Sequence, residues 1–189
     1  MKQAMTLNDK QLKIILAHTV TRRHAARDRA IIMISYLAGL RAKEIAALTI
    51  DNIRAEDGSL REEFVLAPEQ SKGRKSRRVF ISTRLRKELE TYIKQGKRRE
   101  HSAALFQSQK GGAFSANTMC QLFLDIYSEC GLEGASSHSG RRSLLTTLAS
   151  KGVSVRVLAE IAGHSSIAVT QKYLDVNDHQ MRAAIELVG

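Results

Sequence analysis

Gly163-His-Ser-Ser-Ile-Ala-Val-Thr-Gln-Lys-Tyr173 is the stretch on which the reading of this chain turns. In one unbroken helix the nine-residue step from His164 to Tyr173 is two and a half turns, which would set the two side chains on opposite faces. The sequence breaks the helix for them. Gly163 is suited to end one helix, Ser165 or Ser166 to cap the next, and Tyr173 then falls near the end of that second helix.

Upstream stands His138-Ser-Gly-Arg141. If a helix begins around Gly140, His138 and Arg141 face one point near its positive end. Arg141 offers a planar fork for two phosphate oxygens, and His138 exchanges a proton near neutral pH. A phosphodiester is cleaved fastest when fixed cations meet the charge developing on its oxygens, a nucleophile lies in line, and an acid protonates the departing oxygen. Arg41, just past a helix stop at Gly39, is a further cation, at a helix start whose backbone N–H groups also favour anions. Each of these residues has an ordinary reading too: a surface pair of Arg41 with Glu44, a solvated loop for His138 and Arg141, half-buried packing for Tyr173.

The whole chain is basic. Its 189 residues hold 30 Lys and Arg against 19 Asp and Glu, a formal charge of +11, which points to a polyanionic partner. Between Gln70 and Arg99 the acids are Glu88 and Glu90 alone among a run of lysines and arginines, so the positive field is a patch and not a coat. Cys120 and Cys130 lie in a helix and at its end without CxxC spacing, which suits reduced thiols and no zinc. No run approaches the ~18 apolar residues of a membrane span, and the N-terminus has no signal-peptide core. A cytoplasmic protein is expected, bacterial or phage-encoded and nucleoid-associated.

One Pro and 5% aromatics suit a mainly helical α+β domain. Thr6 is read as the cap of a first helix, with Asp9 at its third position. Ala25 to Ala38 has almost no polar face and belongs in the core, and Ala42 to Leu48 reads as a short helix behind Arg41. Phe64-Val65-Leu66 and Val79-Phe80-Ile81 form a hairpin around the basic tip Glu69 to Ser76. Lys72 on that tip is a flexible ammonium within reach of a bound duplex, with Arg74, Lys75 and Arg77 as its competitors. Helices follow at Thr83 to Gln95, Ser115 to Cys130, Arg141 to Lys151, Val155 to Ala162, Ile167 to Leu174 and Asp178 to Val188. The last carries an apolar stripe of Met181, Ala184, Ile185 and Val188.

Taken together, the motifs resemble the catalytic domain of the tyrosine recombinases, the phage-integrase family, from about Thr6 to Val188. Gly39-Leu-Arg-Ala-Lys-Glu-Ile-Ala-Ala-Leu-Thr-Ile-Asp51 resembles the family's first arginine box, His138-Ser-Gly-Arg141 its second, and Ala162 to Tyr173 its third. The resemblance implies a tyrosine-recombinase catalytic domain with a small antiparallel β-hairpin, in which Tyr173 attacks the scissile phosphate of double-stranded DNA to give a 3′-phosphotyrosyl bond. No metal or nucleotide cofactor is implied. Arg41 and Arg141 would hold the non-bridging oxygens, His164 would add a hydrogen bond, His138 would act as acid–base, and Lys72 would protonate the leaving 5′ oxygen. Glu44 would buttress the site. Arg74, Lys75, Arg77 and Arg142 are candidate DNA contacts.

Gly140 and Arg142 stand where the family usually has Leu and often His. Residues 1–189 are read as one catalytic domain without the family's usual N-terminal core-binding domain, either a short stand-alone recombinase or a fragment. A tetramer on paired DNA sites and a monomer without DNA are expected. The competing readings are a helix-turn-helix regulator built on Val157 to Thr170, a type IB topoisomerase, and a catalytically silent accessory protein.

Overall fold

Ile31, Ile32, Met33 and Ile34 leave no polar side to their helix, and in the computed structural model each is at most 1% exposed. The structure describes residues 3–71, 75–95, 102–173, 181–182 and 185–186. Along them run α1 (Asp9–Thr19), α2 (Ala25–Ala38), α3 (Ala42–Ala46), α4 (Ile50–Ile53), β1 (Glu63–Leu66), β2 (Arg77–Phe80), α5 (Thr83–Gln95), α6 (Ala116–Glu129), α7 (Ser139–Ser150), α8 (Val155–Ala162) and α9 (Ile167–Gln171). The architecture is α+β and mainly helical.

Because the middle of α2 is apolar all round it must be enclosed, and α5 and α7 lie against the helix with α1 and α3. Gly39 ends it in the left-handed conformation at φ 64°, as a C-terminal glycine does without steric cost. The α2–α7 approach is close because of Gly140. A Cβ there would stand 2.7 Å from Ser35 Oγ and 3.1 Å from the Ser35 backbone carbon. The family's usual leucine would not fit at this spacing.

β1 and β2 pair antiparallel, with Glu63 opposite Phe80 and Leu66 opposite Arg77. Alternation puts Phe64, Leu66 and Val79 inside while Val65 and Phe80 stay exposed. Arg77, two residues before Val79, therefore shares the inward face.

Most buried side chains belong to one core built around α2. A second, small cluster holds Leu145, Leu158 and Ala162, with Leu148, Ala149, Val153, Ile161 and Tyr173 packed on it. It lies under α8 and α9.

The first helix is capped by Asn8, not Thr6: the Asn8 side chain accepts the Gln11 N–H and the Gln11 side chain accepts the Asn8 N–H, each at 2.9 Å. That reciprocal pair outcompetes Thr6, and the next backbone N–H, of Leu7, goes to Ser143 Oγ at 2.6 Å. The short helix behind Arg41 ends at Ala46, and α4 follows as a separate turn. α9 stops at Gln171, so Tyr173 sits just past it. Of the helix expected over Asp178 to Val188, residues 181–182 and 185–186 are described, as helix, with Met181 and Ile185 exposed. The rest of it lies outside the described residues.

Candidate active site

The site begins where α2 stops. Gly39 turns the chain so that its carbonyl accepts a hydrogen bond from Arg141 Nη1 at 2.6 Å. Two residues on, Arg41 is the N-cap of α3. Its backbone N–H donates to Glu44 Oε2 and its Nη1 to Glu44 Oε1, both at 2.8 Å. The pair that looked like a surface salt bridge in the sequence has one wholly buried member, since Glu44 is 0% exposed.

Arg77 reaches the same carboxylate from β2, Nη2 to Glu44 Oε2 at 2.8 Å, while its Nη1 donates to the Ile161 carbonyl at 2.8 Å. Burial alone would raise the Glu44 carboxyl. The charge of Arg77, the Arg41 N–H and the Arg41 guanidinium outweigh burial and hold it below its ordinary value.

Arg141 lies in the first turn of α7 and is 3% exposed. Besides Gly39 it bonds through Nη2 to the Ala162 carbonyl and to His164 Nε2. Two carbonyls, each at or beside a helix C-terminus, thus take its fork, where helix dipoles favour a cation. Burial, with Arg41 and Arg77 nearby, pushes it down to about 9, so it stays charged at neutral pH.

An arginine can only donate, so His164 Nε2 must accept and the ring proton sits on Nδ1. Nδ1 then donates to Thr170 Oγ1 at 2.8 Å, a residue 0% exposed in α9. Burial and then the charges of Arg141, Arg41 and Arg77 lower His164 to about 4, leaving a neutral imidazole. The turn that permits this is built as the sequence suggests: Gly163 ends α8 at φ 59° and Ser166 caps α9 by accepting the Ala168 N–H.

The Tyr173 ring stacks on His164, centroids 6.0 Å apart and planes at 17°, and the Arg142 guanidinium stands 5.7 Å from its centroid. Arg41, Glu44, Lys75, Arg77 and His164 line one cleft of about 890 Å³.

The remaining predicted residues fall as follows. His138 is the exposed N-cap of α7; its carbonyl accepts the Arg142 N–H at 2.9 Å and its own N–H donates to Ser136 Oγ at 3.3 Å. Lys75 is exposed, and its carbonyl accepts Ser71 Oγ at 2.6 Å, closing the base of the hairpin tip. Gln70 Nε2 docks that base on the Ala47 carbonyl at 2.7 Å and on Asn52 Oδ1 at 2.9 Å. Lys72 and Arg74 lie outside the described residues. Arg142 is half-buried, beside Tyr173. The roles of Thr170 and Arg77 in this network were missed by the sequence reading; for Arg77 the strand alternation held the signal.

Among the described residues no three His, Cys, Asp or Glu side chains are grouped to hold a metal ion, and no helix is long and apolar enough to cross a membrane.

Residues 5–180 match the phage integrase family. The chain is 31% identical over 163 residues to tyrosine recombinase XerA of Pyrococcus horikoshii, covering 85% of this chain and 54% of that protein. To tyrosine recombinase XerD of Mycobacterium tuberculosis it is 32% identical over 162 residues, 82% of this chain and 50% of that one. The fold is similar to that of the Tn1549 transposon integrase, solved in complex with circular intermediate DNA, with a TM-score of 0.78 at 19% identity over 100% of this chain and 68% of that one. The chain therefore spans about half the length of the curated relatives it matches.

Proposed function

The chain belongs to the phage integrase family, and we propose that it is a site-specific DNA recombinase that cleaves and rejoins strands through a 3′-phosphotyrosyl intermediate. The observation that carries this reading is the convergence on His164: Arg141 bonds to its ring, the Tyr173 ring stacks on it, and Arg41 lines one cleft with it.

The Tyr173 phenolic oxygen attacks the scissile phosphorus. A bond forms between them, the bond from phosphorus to the 5′ oxygen breaks, and the departing oxygen takes a proton from Lys72 while the phenolic proton passes to His138. Arg41 and Arg141 hold the non-bridging oxygens, where loss of a comparable fixed donor costs about 10²- to 10³-fold in rate. The bound phosphate has a further effect on His164. Its negative charge opposes the cations that lower the ring, and so raises the affinity of His164 for a second proton. Because the phosphodiester energy is kept in the covalent bond, the reverse attack by a 5′ hydroxyl rejoins the strand.

Double-stranded DNA is the partner, supported by the charge of +11 and by a fold neighbour solved with DNA. We take residues 1–189 to act as one catalytic domain, monomeric alone and tetrameric on paired sites inside the cell. A helix-turn-helix regulator would leave the set of Arg41, Glu44 and Arg141 without work.

The test is incubation of the full chain with a library of nicked duplexes of random sequence, then a denaturing gel. A protein–DNA adduct is expected, and it vanishes in Tyr173→Phe while duplex affinity stays the same. No adduct from the native chain, or one that survives in Tyr173→Phe, overturns the reading.

A further inference from the structure

Arg77 is the first residue of β2, within the basic run of the hairpin, where exposure to DNA would be the ordinary expectation, yet its side chain is only 9% exposed. Three observations describe what it does there. Its two terminal nitrogens are committed to different elements, Nη2 to Glu44 of α3 and Nη1 to the Ile161 carbonyl at the end of α8. Its Nε is buried without a hydrogen-bond partner, so the guanidinium is held in place by the other two contacts. Its stem is packed against Gly163, where an added Cβ would come to 2.5 Å from Arg77 Cδ.

These contacts span both halves of the site. Glu44 holds Arg41 through two hydrogen bonds. Ile161 precedes Ala162, whose carbonyl receives Arg141, and Gly163 precedes His164, which Arg141 also touches. Two arginines thus take consecutive carbonyls of the same helix end, one from the hairpin side and one from α7. We propose that Arg77 is a positioning residue that sets the distance from Arg41 to Arg141 and His164 by bridging Glu44 and the α8 C-terminus, and that it makes no phosphate contact of its own.

What it positions those groups for rests on the recombinase reading. The bridge itself does not. A phosphate contact would have to draw the guanidinium off a fully buried carboxylate, leaving that charge with fewer partners. Lysine is a poor substitute, since one ammonium cannot present the planar fork that reaches a carboxylate and a carbonyl in fixed directions.

The test uses the full chain with Arg77→Met and Arg77→Lys. Affinity for a random-sequence duplex is measured against salt concentration, because an arginine that neutralises a phosphate contributes about 0.9 to the slope of log affinity on log salt. The slope is expected to stay at the native value in both variants. Adduct yield from the nicked library is expected to fall on the order of 10²-fold in Arg77→Met, by analogy with loss of one oriented donor, and to recover in part in Arg77→Lys. In the free protein the His164 titration, followed by NMR, is expected to rise in Arg77→Met, because Arg77 is one of the charges that lower it. A slope reduced by about one with His164 unmoved would show a DNA contact and sink the proposal. Unchanged adduct yield in both variants would do the same. If the native chain gives no adduct, the recombinase reading fails, while the salt slope and the His164 titration still decide what Arg77 does. Should Arg77→Met not fold, Arg77→Gln also removes the charge and carries all three measurements.

Discussion

The two halves of the site rest on unequal foundations. Arg41 and Arg141 spring from α3 and α7, next to α2 and the main core, where Leu40, Ile45 and Ile31 to Ile34 are all at most 1% exposed. His164 and Tyr173 come from the α8–α9 segment, which rests on a cluster with only Leu145, Leu158 and Ala162 fully buried among the described residues. Fully burying a side chain of leucine size stabilises by about 1.5–3 kcal/mol. The half with Arg41 and Arg141 is therefore anchored many times over, and the half with His164 and Tyr173 by few apolar groups plus the polar bonds from Arg141, Arg77 and Thr170. Local opening draws on such thinly packed segments first.

The contrast breaks most directly on a matched pair of cavities. Ile34→Ala and Leu158→Ala should each cost about 2–5 kcal/mol where they act, but hydrogen exchange should place the losses differently. The first is expected to lower protection in α2, α5 and α7 together; the second lowers it in α8 and α9 and leaves α2 as it was. Equal loss everywhere from either substitution would mean the two clusters open as one.

Next in size is Arg141→Lys. An ammonium cannot serve Gly39, Ala162 and His164 at once, so adduct formation should fall about 10²- to 10³-fold. If the polar bonds matter as argued, exchange in α8 and α9 quickens too, and activity loss without that change would assign Arg141 to the phosphate alone.

A smaller effect is expected from Gly140→Ala, which forces α7 off α2. Crowding of this kind costs about 1–3 kcal/mol. Since the strain lies on the core side, the denaturation midpoint should drop while α8–α9 exchange relative to the rest stays the same.

The smallest effect is that of pH. The folded value of His164, about 4, lies below its ordinary 6.5, so the unfolded chain binds the proton more readily between them. Stability from this group is full above about 6.5 and is lost as pH falls toward about 4. Glu44, also depressed, adds a loss beginning below its ordinary 4.5. A denaturation midpoint that declines from pH 7 to 4.5, and declines less in His164→Gln, is the expected result. A flat native profile would remove the neutral imidazole from the account.

Much of this was readable in the residues. The apolar run in α2, the stops at Gly39 and Gly163, the two strands and the helix from Thr83 to Gln95 all declare themselves through period and punctuation. The break between His164 and Tyr173 followed from counting turns. What escaped did so for physical reasons. Asn8 and Thr6 are both acceptable caps, and the reciprocal bonds between Asn8 and Gln11 separate them. Thr170 gives no local hint that its hydroxyl will meet an imidazole six residues earlier. Arg77 was hidden by its basic neighbours, although a strand in which Val79 points inward must point Arg77 inward as well.

Arg141 reaches a carbonyl 102 positions before it and another 21 positions after it. The guanidinium cannot find its seat until both distant segments are present, and each closure carries its own entropic cost. A chain emerging from a ribosome therefore cannot seat Arg141 while Ala162 is still in the exit tunnel.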